Sequence, residues 1–174
     1  KLQEVHCYAK ELPSTALDAF ESTDLTQATL YVQTSALRDY RSTVPWSQFG
    51  NIKDMSVEID GIWYNLMSVK NKAEVTVGEM EYTGDITLPS TVTYKGTTYH
   101  VTGIGRLAFA GDYRLTSVSI PEGITTIGEL AFYYCSSLTT INIPESVTSI
   151  GAHAFDGCSS LTAINIPESV TSIE

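Results

Sequence analysis

The chain has 174 residues, of which 43% are hydrophobic and 17% are charged, and its formal net charge at pH 7 is −10. This length and hydrophobic fraction are typical of one ordinary globular domain or two small ones. The acidic charge argues against nucleic-acid binding, which needs clustered Lys and Arg, and against docking on an anionic membrane surface. Since no apolar run approaches the ~20 residues that span a bilayer, direct membrane insertion is not expected either.

Residues 1–53 carry weak copies of a pattern that becomes regular later in the chain. The apolar residues of 2–7 have the spacing found in 138–143, and residues 30–32 predict a short strand. A repeat that has degraded in this way is typical of the end of a repetitive domain, where the last coil no longer needs a successor.

A short helix and an aromatic turn follow these weak repeats. Thr34 or Ser35 is predicted to cap the N-terminus of a helix that ends near Arg41. Residues 45–49, which include Pro, Trp and Phe, predict a compact turn. Residues 1–53 are therefore predicted to be the C-terminal part and helical cap of one solenoid, a stack of similar coils.

Residues 54–100 contain two predicted hairpins. The first has strand-like runs at 61–69 and 73–77, and the second is an insertion at 93–100 with Lys95-Gly96 at its tip. A solenoid needs an element that covers its first coil and blocks the unpaired strand edge. This segment is predicted to be the hairpin N-cap of a second solenoid, and the joint with the preceding block falls near residues 50–58.

Residues 101–174 repeat with a period of 23, and the unit that starts at Ile150 is IGxxAFxxCSSLTxINIPESVTS. Such a period, with its apolar positions in phase, is the mark of a stacked solenoid in which each coil buries its side chains against the next. Two sets of residues are each predicted to form a buried stack: Phe109, Phe132 and Phe155; and Ile120, Ile143 and Ile166.

Within each coil, the pattern predicts two short strands and one helical turn. Residues 138–143 predict a parallel strand, residues 147–150 predict a second, and residues 151–158 predict a helical turn that places Phe155 in the core. Stacking the coils joins the strands into parallel sheets that are buried on one side only. The other side is a candidate partner-binding surface, and its outward-facing residues are Ser117, Ser119, Thr140, Asn142, Ala163 and Asn165.

Tyrosines on the predicted turns are further candidates for partner contacts. Tyr113, Tyr133 and Tyr134 occupy such turns, and a surface tyrosine offers contact area and a hydroxyl at little entropic cost. Packing within the caps is the alternative role for tyrosines in this chain.

No catalytic, cofactor or metal site is predicted. The histidines His6, His100 and His153 fall in unrelated parts of the chain without the spacing of zinc ligands. His153 stands where other coils have Leu107 and Leu130, so a half-buried position is expected for it. The sequence contains no nucleophile elbow, zinc-protease or phosphate-loop motif.

A file of glutamates follows the repeat prolines and is expected to be solvated, because one file supplies few of the oxygen ligands that calcium takes: Glu122, Glu145 and Glu168.

Cys135 and Cys158 occupy the same repeat position one coil apart. Neighbouring coils stack at about 4.7–4.9 Å, which is close enough for a disulfide by distance alone. Their side chains should point in parallel, however, and this is poor geometry for a bridge. A buried ladder of free thiols is predicted, with a disulfide as the alternative.

The repeats at 127–149 and 150–172 closely resemble BspA-like leucine-rich repeats, and residues 60–66 and 94–99 resemble the N-terminal region common in that family. The resemblance implies a leucine-rich-repeat-type solenoid that is β-rich, with short parallel strands, a one-turn helix per coil, a hairpin N-cap and a helical C-cap. It also implies a secreted or cell-surface protein of the kind associated with adhesion to host proteins.

Two functional hypotheses follow. The first is an extracellular adhesion module that presents its repeat surface to a host or neighbouring-cell protein or glycan. The second is a structural spacer that projects another domain from the cell surface. An enzymatic role is not expected.

The pattern breaks off one residue into a further coil, so the chain is expected to be a segment of a longer protein. Its uncovered coils at 2–7 and 169–174 predict end-to-end self-association or fraying.

Overall fold

The chain divides into two compact units, residues 1–56 and residues 57–174, and each is described by itself. Residues of predicted elements that lie outside the described residues include Val69, the last residue of a predicted strand, and Glu174, which stands at the glycine position of a predicted further coil. The computed structural model describes residues 2–9, 12–14, 19–67 and 70–173.

The first unit is built on a parallel three-stranded sheet. Its strands are β1 (Glu4–Cys7), β2 (Thr29–Val32) and β3 (Asn51–Asp54), in that order across the sheet. The first two strands were predicted, whereas the third was assigned to the joint between the units. The sheet packs against a small core of Leu25, Ala28, Leu30, Val32, Ala36, Tyr40, Trp46 and Phe49.

The predicted helix of this unit is present, but its predicted cap is wrong. A 3-10 turn, Thr34–Ala36, leads directly into helix α1 (Leu37–Ser42), and Trp46–Gln48 forms the predicted compact turn as a second 3-10 segment. The N-cap position of the first turn is Gln33, whose backbone is extended and whose side chain makes no capping hydrogen bond. Thr34 and Ser35 already lie within the turn and so cannot cap it.

The second unit begins with hairpins. Strands β4 (Ser56–Ile59) and β5 (Ile62–Met67) meet at the left-handed pair Asp60-Gly61, and β5 pairs antiparallel with β6 (Lys72–Val75). The β5–β6 hairpin was predicted; the β4–β5 hairpin was not.

The predicted inserted hairpin is confirmed. Strand β8 (Thr91–Tyr94) pairs antiparallel with β9 (Thr97–Ile104), and Lys95-Gly96 lies at the tip. Both tip residues have positive φ, 49° and 80°, which is the geometry of a two-residue hairpin turn. Strand β9 also pairs in parallel with β6, so the hairpins run directly into the solenoid.

The coils contribute strands to two parallel sheets. The first contains β7 (Gly84–Thr87), β10 (Leu115–Ser119) and β12 (Thr140–Asn142), in the order β12-β10-β7. The second continues from β9 through three two-residue strands, which are β11 (Thr126–Ile127), β13 (Ser149–Ile150) and β14 (Ser172–Ile173).

The segments predicted as helical turns are runs of tight turns instead. Leu107, Leu130 and His153 have φ of 61°, 57° and 55°, and a left-handed residue cannot continue a right-handed helical turn. Backbone N–H groups therefore donate to the neighbouring coil, as Phe109 does to Ala131 at 2.8 Å. His153 is exposed and not half-buried as predicted, whereas Leu107 and Leu130, which have the same left-handed backbone, are half-buried.

The three predicted phenylalanines do form one stack, but the last of them is less buried than predicted. The rings of Phe109 and Phe132 are fully buried, whereas Phe155 is half-buried. Ile166 was predicted to be buried but is 42% exposed. Residues 161–167 form no strand, and no later coil lies over them within the described part of the chain, so their apolar side chains have a neighbour on one side only.

Candidate functional site

The outward face of the sheet β12-β10-β7 presents two files of polar side chains. The register places Asp85 beside Ser117 and Ser117 beside Thr140, and this is the first file. The second file contains Thr87, Ser119 and Asn142, which are all exposed. These files alternate with the inward residues Ile86, Val118 and Ile141, as the two-residue period of a strand requires.

Asp85 anchors the first file. Its Oδ1 accepts hydrogen bonds from the hydroxyls of Thr116, at 2.8 Å, and Ser117, at 2.6 Å. These two hydrogen bonds hold the pKa of the Asp85 carboxyl below its usual value, because they favour the charged form. The sheet face therefore carries a fixed negative charge at one end of its hydroxyl files.

Sequence reasoning missed Asp85, although a signal for it was available. The inserted hairpin lengthens this coil, so Asp85 is 32 residues before Ser117 instead of 23. Aligning Leu88-Pro89 with Ile143-Pro144, which have the same place in the repeat, assigns Asp85 to the position of Thr140.

A shallow depression of about 270 Å³ lies on this face and is lined by Ser117–Ser119 of β10 and Thr140–Asn142 of β12. The structure thus brings four of the predicted residues together, namely Ser117, Ser119, Thr140 and Asn142. It does not bring Ala163 and Asn165 into the sheet. Both are exposed as predicted, but they belong to the coil that forms no strand. The chemistry of the face is that of hydroxyl and amide groups, which donate and accept hydrogen bonds.

The candidate tyrosines lie on the turns that follow the stacked phenylalanines. Tyr113 is 52% exposed and Tyr134 is 56% exposed. The rings of Tyr133 and Tyr134 pack edge to face with their centroids 4.5 Å apart, and the Arg114 guanidinium lies 5.9 Å from the centroid of Tyr113. Desolvation and the neighbouring Tyr134 raise the pKa of Tyr133.

Tyr134 has a backbone conformation that favours glycine. Its φ is 57°, and the equivalent residues of the neighbouring coils are Gly111, with φ of 83°, and Gly157, with φ of 77°. Left-handed backbone costs a residue with a Cβ roughly 1–2 kcal/mol. The Tyr134 ring also lies over Gly157, where an added Cβ would be 3.0 Å from the ring's Cγ. A large, exposed side chain at a strained position is a candidate for a binding role.

The repeat cysteines form the predicted buried ladder. Cys135 Sγ donates to the carbonyl oxygen of Phe109 at 3.0 Å, and Cys158 Sγ donates to that of Phe132 at 3.1 Å. The neighbouring Cys158 thiol and burial raise the pKa of Cys135, so this thiol is neutral at physiological pH and a poor nucleophile.

Asp112 takes the place of these cysteines in the first full coil. It is buried, and burial raises the pKa of its carboxyl to about 7, although a hydrogen bond with the Tyr82 backbone lowers it in part. The nearby charge of Glu81 also favours the protonated form. The repeat alignment could have identified this buried carboxyl, because Asp112 lies 23 residues before Cys135.

Within the described residues, no three His, Cys, Asp or Glu side chains converge in a way that could hold a metal ion. Glu122, Glu145 and Glu168 are all exposed. His153 Nδ1 lies 3.6 Å from a carboxylate oxygen of Asp156, and both side chains are open to solvent. The described part of the chain also contains no helix long and apolar enough to span a membrane.

Comparison with known families and structures shows similarity to leucine-rich repeat proteins. A family model for the BspA type leucine rich repeat region matches residues 83–174 in six copies, which is more than half of the chain. None of the curated proteins matches the chain.

Several solved structures are similar. A leucine-rich repeat protein from Bacteroides ovatus is 40% identical over 67% of this chain, with a TM-score of 0.63. A leucine rich cell surface protein from Faecalibacterium prausnitzii is 38% identical over 68%, with a TM-score of 0.59. The matches cover only 31% and 32% of those two chains.

A leucine-rich repeat protein from Bacteroides capillosus is 29% identical over 69% of this chain and 88% of its own, with a TM-score of 0.61. The repeat period, the paired parallel sheets and these matches agree. The chain belongs to the BspA-type leucine-rich-repeat family.

Proposed function

We propose that this chain is a non-catalytic recognition module of a cell-surface or secreted protein, and that it binds a protein or glycan through the outward face of the sheet β12-β10-β7. The observation that carries the proposal is the paired polar files on this face, which end at the charged Asp85. Hydroxyls and amides arranged in register offer a row of hydrogen-bonding groups to an extended polar partner.

Family membership supports this proposal. A solenoid spreads a small number of residues per coil over a long surface, and this geometry favours binding. One of the similar structures is named as a cell surface protein. The exposed tyrosines Tyr113 and Tyr134 add contact area on the turns that precede β10 and β12, since tyrosine is a favoured contact residue.

The alternative is a structural spacer. The uniform Ser, Thr and Asn residues of the outward files favour it, because a surface without variation has no obvious specificity. A spacer would make no saturable contact through this face. The exposed Ile166 and Ile173 also support the proposal that separate copies of this chain associate end to end.

The test is a binding screen with the purified 174-residue chain. Biolayer interferometry against purified extracellular-matrix proteins, together with a mammalian glycan array, samples both proposed partner classes. Saturable binding to a partner, competed by excess unlabelled chain, supports the recognition module. Uniformly unsaturable signals across both panels would contradict it and favour the spacer.

A further inference from the structure

A second surface cleft lies beside the hairpins of the second unit and shares one lining residue, Thr87, with the polar sheet face. It has a volume of about 410 Å³, which is within the usual range of about 300–1,000 Å³ for ligand pockets. One wall is the β4–β5 hairpin tip and the other is the segment 87–93. Its apolar lining consists of Ile59, Ile62, Tyr64, Pro89 and Val92.

The cleft lies along one edge of strand β8. Thr91 and Thr93 point to the exposed face of this strand, whereas Val92 points into the core. Residues of both faces line the cleft, so the cleft must run along an edge. Since β9 occupies one edge of β8 and no other described strand pairs with β8, the cleft lies at the free edge.

The hairpin register identifies which backbone groups this free edge presents. The two-residue turn makes Tyr94 and Thr97 a hydrogen-bonded pair, and such pairs alternate along an antiparallel ladder. Four residues further along each strand, the Val101 N–H donates to the Ser90 carbonyl at 2.9 Å, which agrees with this phase. The N–H and C=O groups of Thr91 and Thr93 therefore point away from β9.

One of the lining residues, Tyr64, carries a buried polar atom. Tyr64 is fully buried, and its hydroxyl has no hydrogen-bond partner among the described residues. A buried hydroxyl without a partner costs roughly 1–3 kcal/mol. The neighbouring Tyr82 differs, because its hydroxyl accepts from the Trp63 N–H and donates to the Thr76 carbonyl.

The charge of the lining is acidic. Asp60 is the one ionisable carboxylate among the lining residues, no basic residue lines the cleft, and the chain as a whole carries a formal charge of −10. A cationic side chain at this end of the cleft would gain from Coulomb attraction.

We propose that this cleft binds an extended peptide segment that adds as a strand to the free edge of β8. The peptide backbone pairs with Thr91 and Thr93, alternate apolar side chains lie against Ile62 and Val92, and a Lys or Arg lies near Asp60. Strand addition to a free sheet edge is an established way to recognise peptides, with main-chain bonds giving affinity and pockets giving specificity.

This site shares only Thr87 with the polar sheet face, and its test uses other residues, so either proposal can fail without the other. The test starts from a random dodecapeptide library displayed on phage and selected on the immobilised 174-residue chain. The enriched sequences are then synthesised, and their affinities are measured by fluorescence polarisation. We expect alternating apolar residues and at least one Lys or Arg in the enriched sequences; no enrichment over the bare support would overturn the proposal.

The decisive variants are Thr93→Pro and its matched control Thr93→Ala. Proline removes the outward N–H without touching the β8–β9 ladder and is tolerated on edge strands, and both variants lose the hydroxyl contact with Thr98. Thr93→Ala should bind the enriched peptides like the unmodified chain. Thr93→Pro should lose about tenfold or more in affinity. Equal binding by the two variants would overturn the proposal.

Two further measurements keep the test independent of how well Thr93→Pro folds. In the unmodified chain, amide exchange followed by NMR should show Thr91 and Thr93 protected only when peptide is bound; unchanged exchange of both amides would overturn strand addition. Asp60→Asn keeps a residue type that tolerates the left-handed turn and should weaken binding of the cationic peptides at low salt. Unchanged affinity would contradict the role of Asp60.

Discussion

The rings of Phe109 and Phe132 lie parallel, with an interplanar angle of 5° and their centroids 5.0 Å apart. Phe155 continues the column at 5.4 Å from Phe132. The spacing follows from the coil repeat, since equivalent residues of stacked strands are separated by about one inter-strand distance. One side chain per coil thus links each coil to the next, and the solenoid core is this column together with the aliphatic columns beside it.

The middle ring of this column should contribute most to stability. Phe132→Ala is expected to reduce the free energy of unfolding by about 3–5 kcal/mol, the usual range for removing a core aromatic residue. The same change at the half-buried Phe155 should cost clearly less. Urea denaturation followed by circular dichroism measures both, and equal losses would contradict the column as described.

Asp112 should make stability fall as pH rises. Its folded pKa of about 7 exceeds the ordinary carboxyl value, so the folded state holds a proton that the unfolded state has released between pH 4 and 7. The penalty is absent below the unfolded pKa and complete above the folded one, at about 1.4 kcal/mol per pKa unit. Asp112→Asn should match the unmodified chain near pH 4 and be more stable at pH 8.

Thermal or urea unfolding of both proteins from pH 4 to pH 8 measures this difference directly. Comparing the two cancels the contribution of other carboxylates such as Asp85, whose lowered pKa acts in the opposite direction. A stability difference that does not change with pH would contradict the buried, protonated carboxyl.

Tyr64 and Tyr82 should respond in opposite ways to the loss of their hydroxyls. Tyr64→Phe removes a buried group without a partner and should leave stability unchanged or raise it by about 1 kcal/mol. Tyr82→Phe breaks hydrogen bonds of 2.9 and 3.1 Å and should lower stability by about 1–3 kcal/mol. Urea denaturation of the two variants tests this, and an equal destabilisation would show that Tyr64 has a partner.

Tyr134→Gly should separate the backbone strain at this position from a binding role of the tyrosine side chain. Glycine relieves a left-handed backbone that costs roughly 1–2 kcal/mol, and both neighbouring coils have glycine at this position. We expect stability to be unchanged or higher, despite the loss of ring contacts, and binding to any partner of this turn to be weaker. A large loss of stability, measured by thermal unfolding, would mean that the ring is a structural contact over Gly157.

Sequence reasoning predicted the columns well because the same residue types return in each coil with a constant step. It missed features that lack this regularity. The tight turns require a left-handed backbone at Leu107, Leu130 and His153. None of these is a glycine or an asparagine, the residues from which such a turn is usually predicted. Asp85 was not identified because the inserted hairpin lengthens its separation from Ser117 beyond the 23-residue period.

The burial of the last coil could not be predicted either. Ile166 has the same sequence context as Ile143, yet one is 42% exposed and the other 7%. The difference comes from neighbours that stack on a coil, not from the coil's own residues. A repeat pattern predicts which side chains turn inward, whereas burial also requires a coil on each side.

The proposed binding surface is tested most directly by one pair of substitutions on the two sheets. Thr140→Arg places a large cation at the β12 end of the polar face, whereas Thr148→Arg adds the same group at an exposed position beside the other sheet. Titration calorimetry measures both against the partner found in the screen. The account predicts a Kd at least about tenfold higher for Thr140→Arg, a change of about 1.4 kcal/mol, and an unchanged Kd for Thr148→Arg. Unchanged affinity for Thr140→Arg would contradict it.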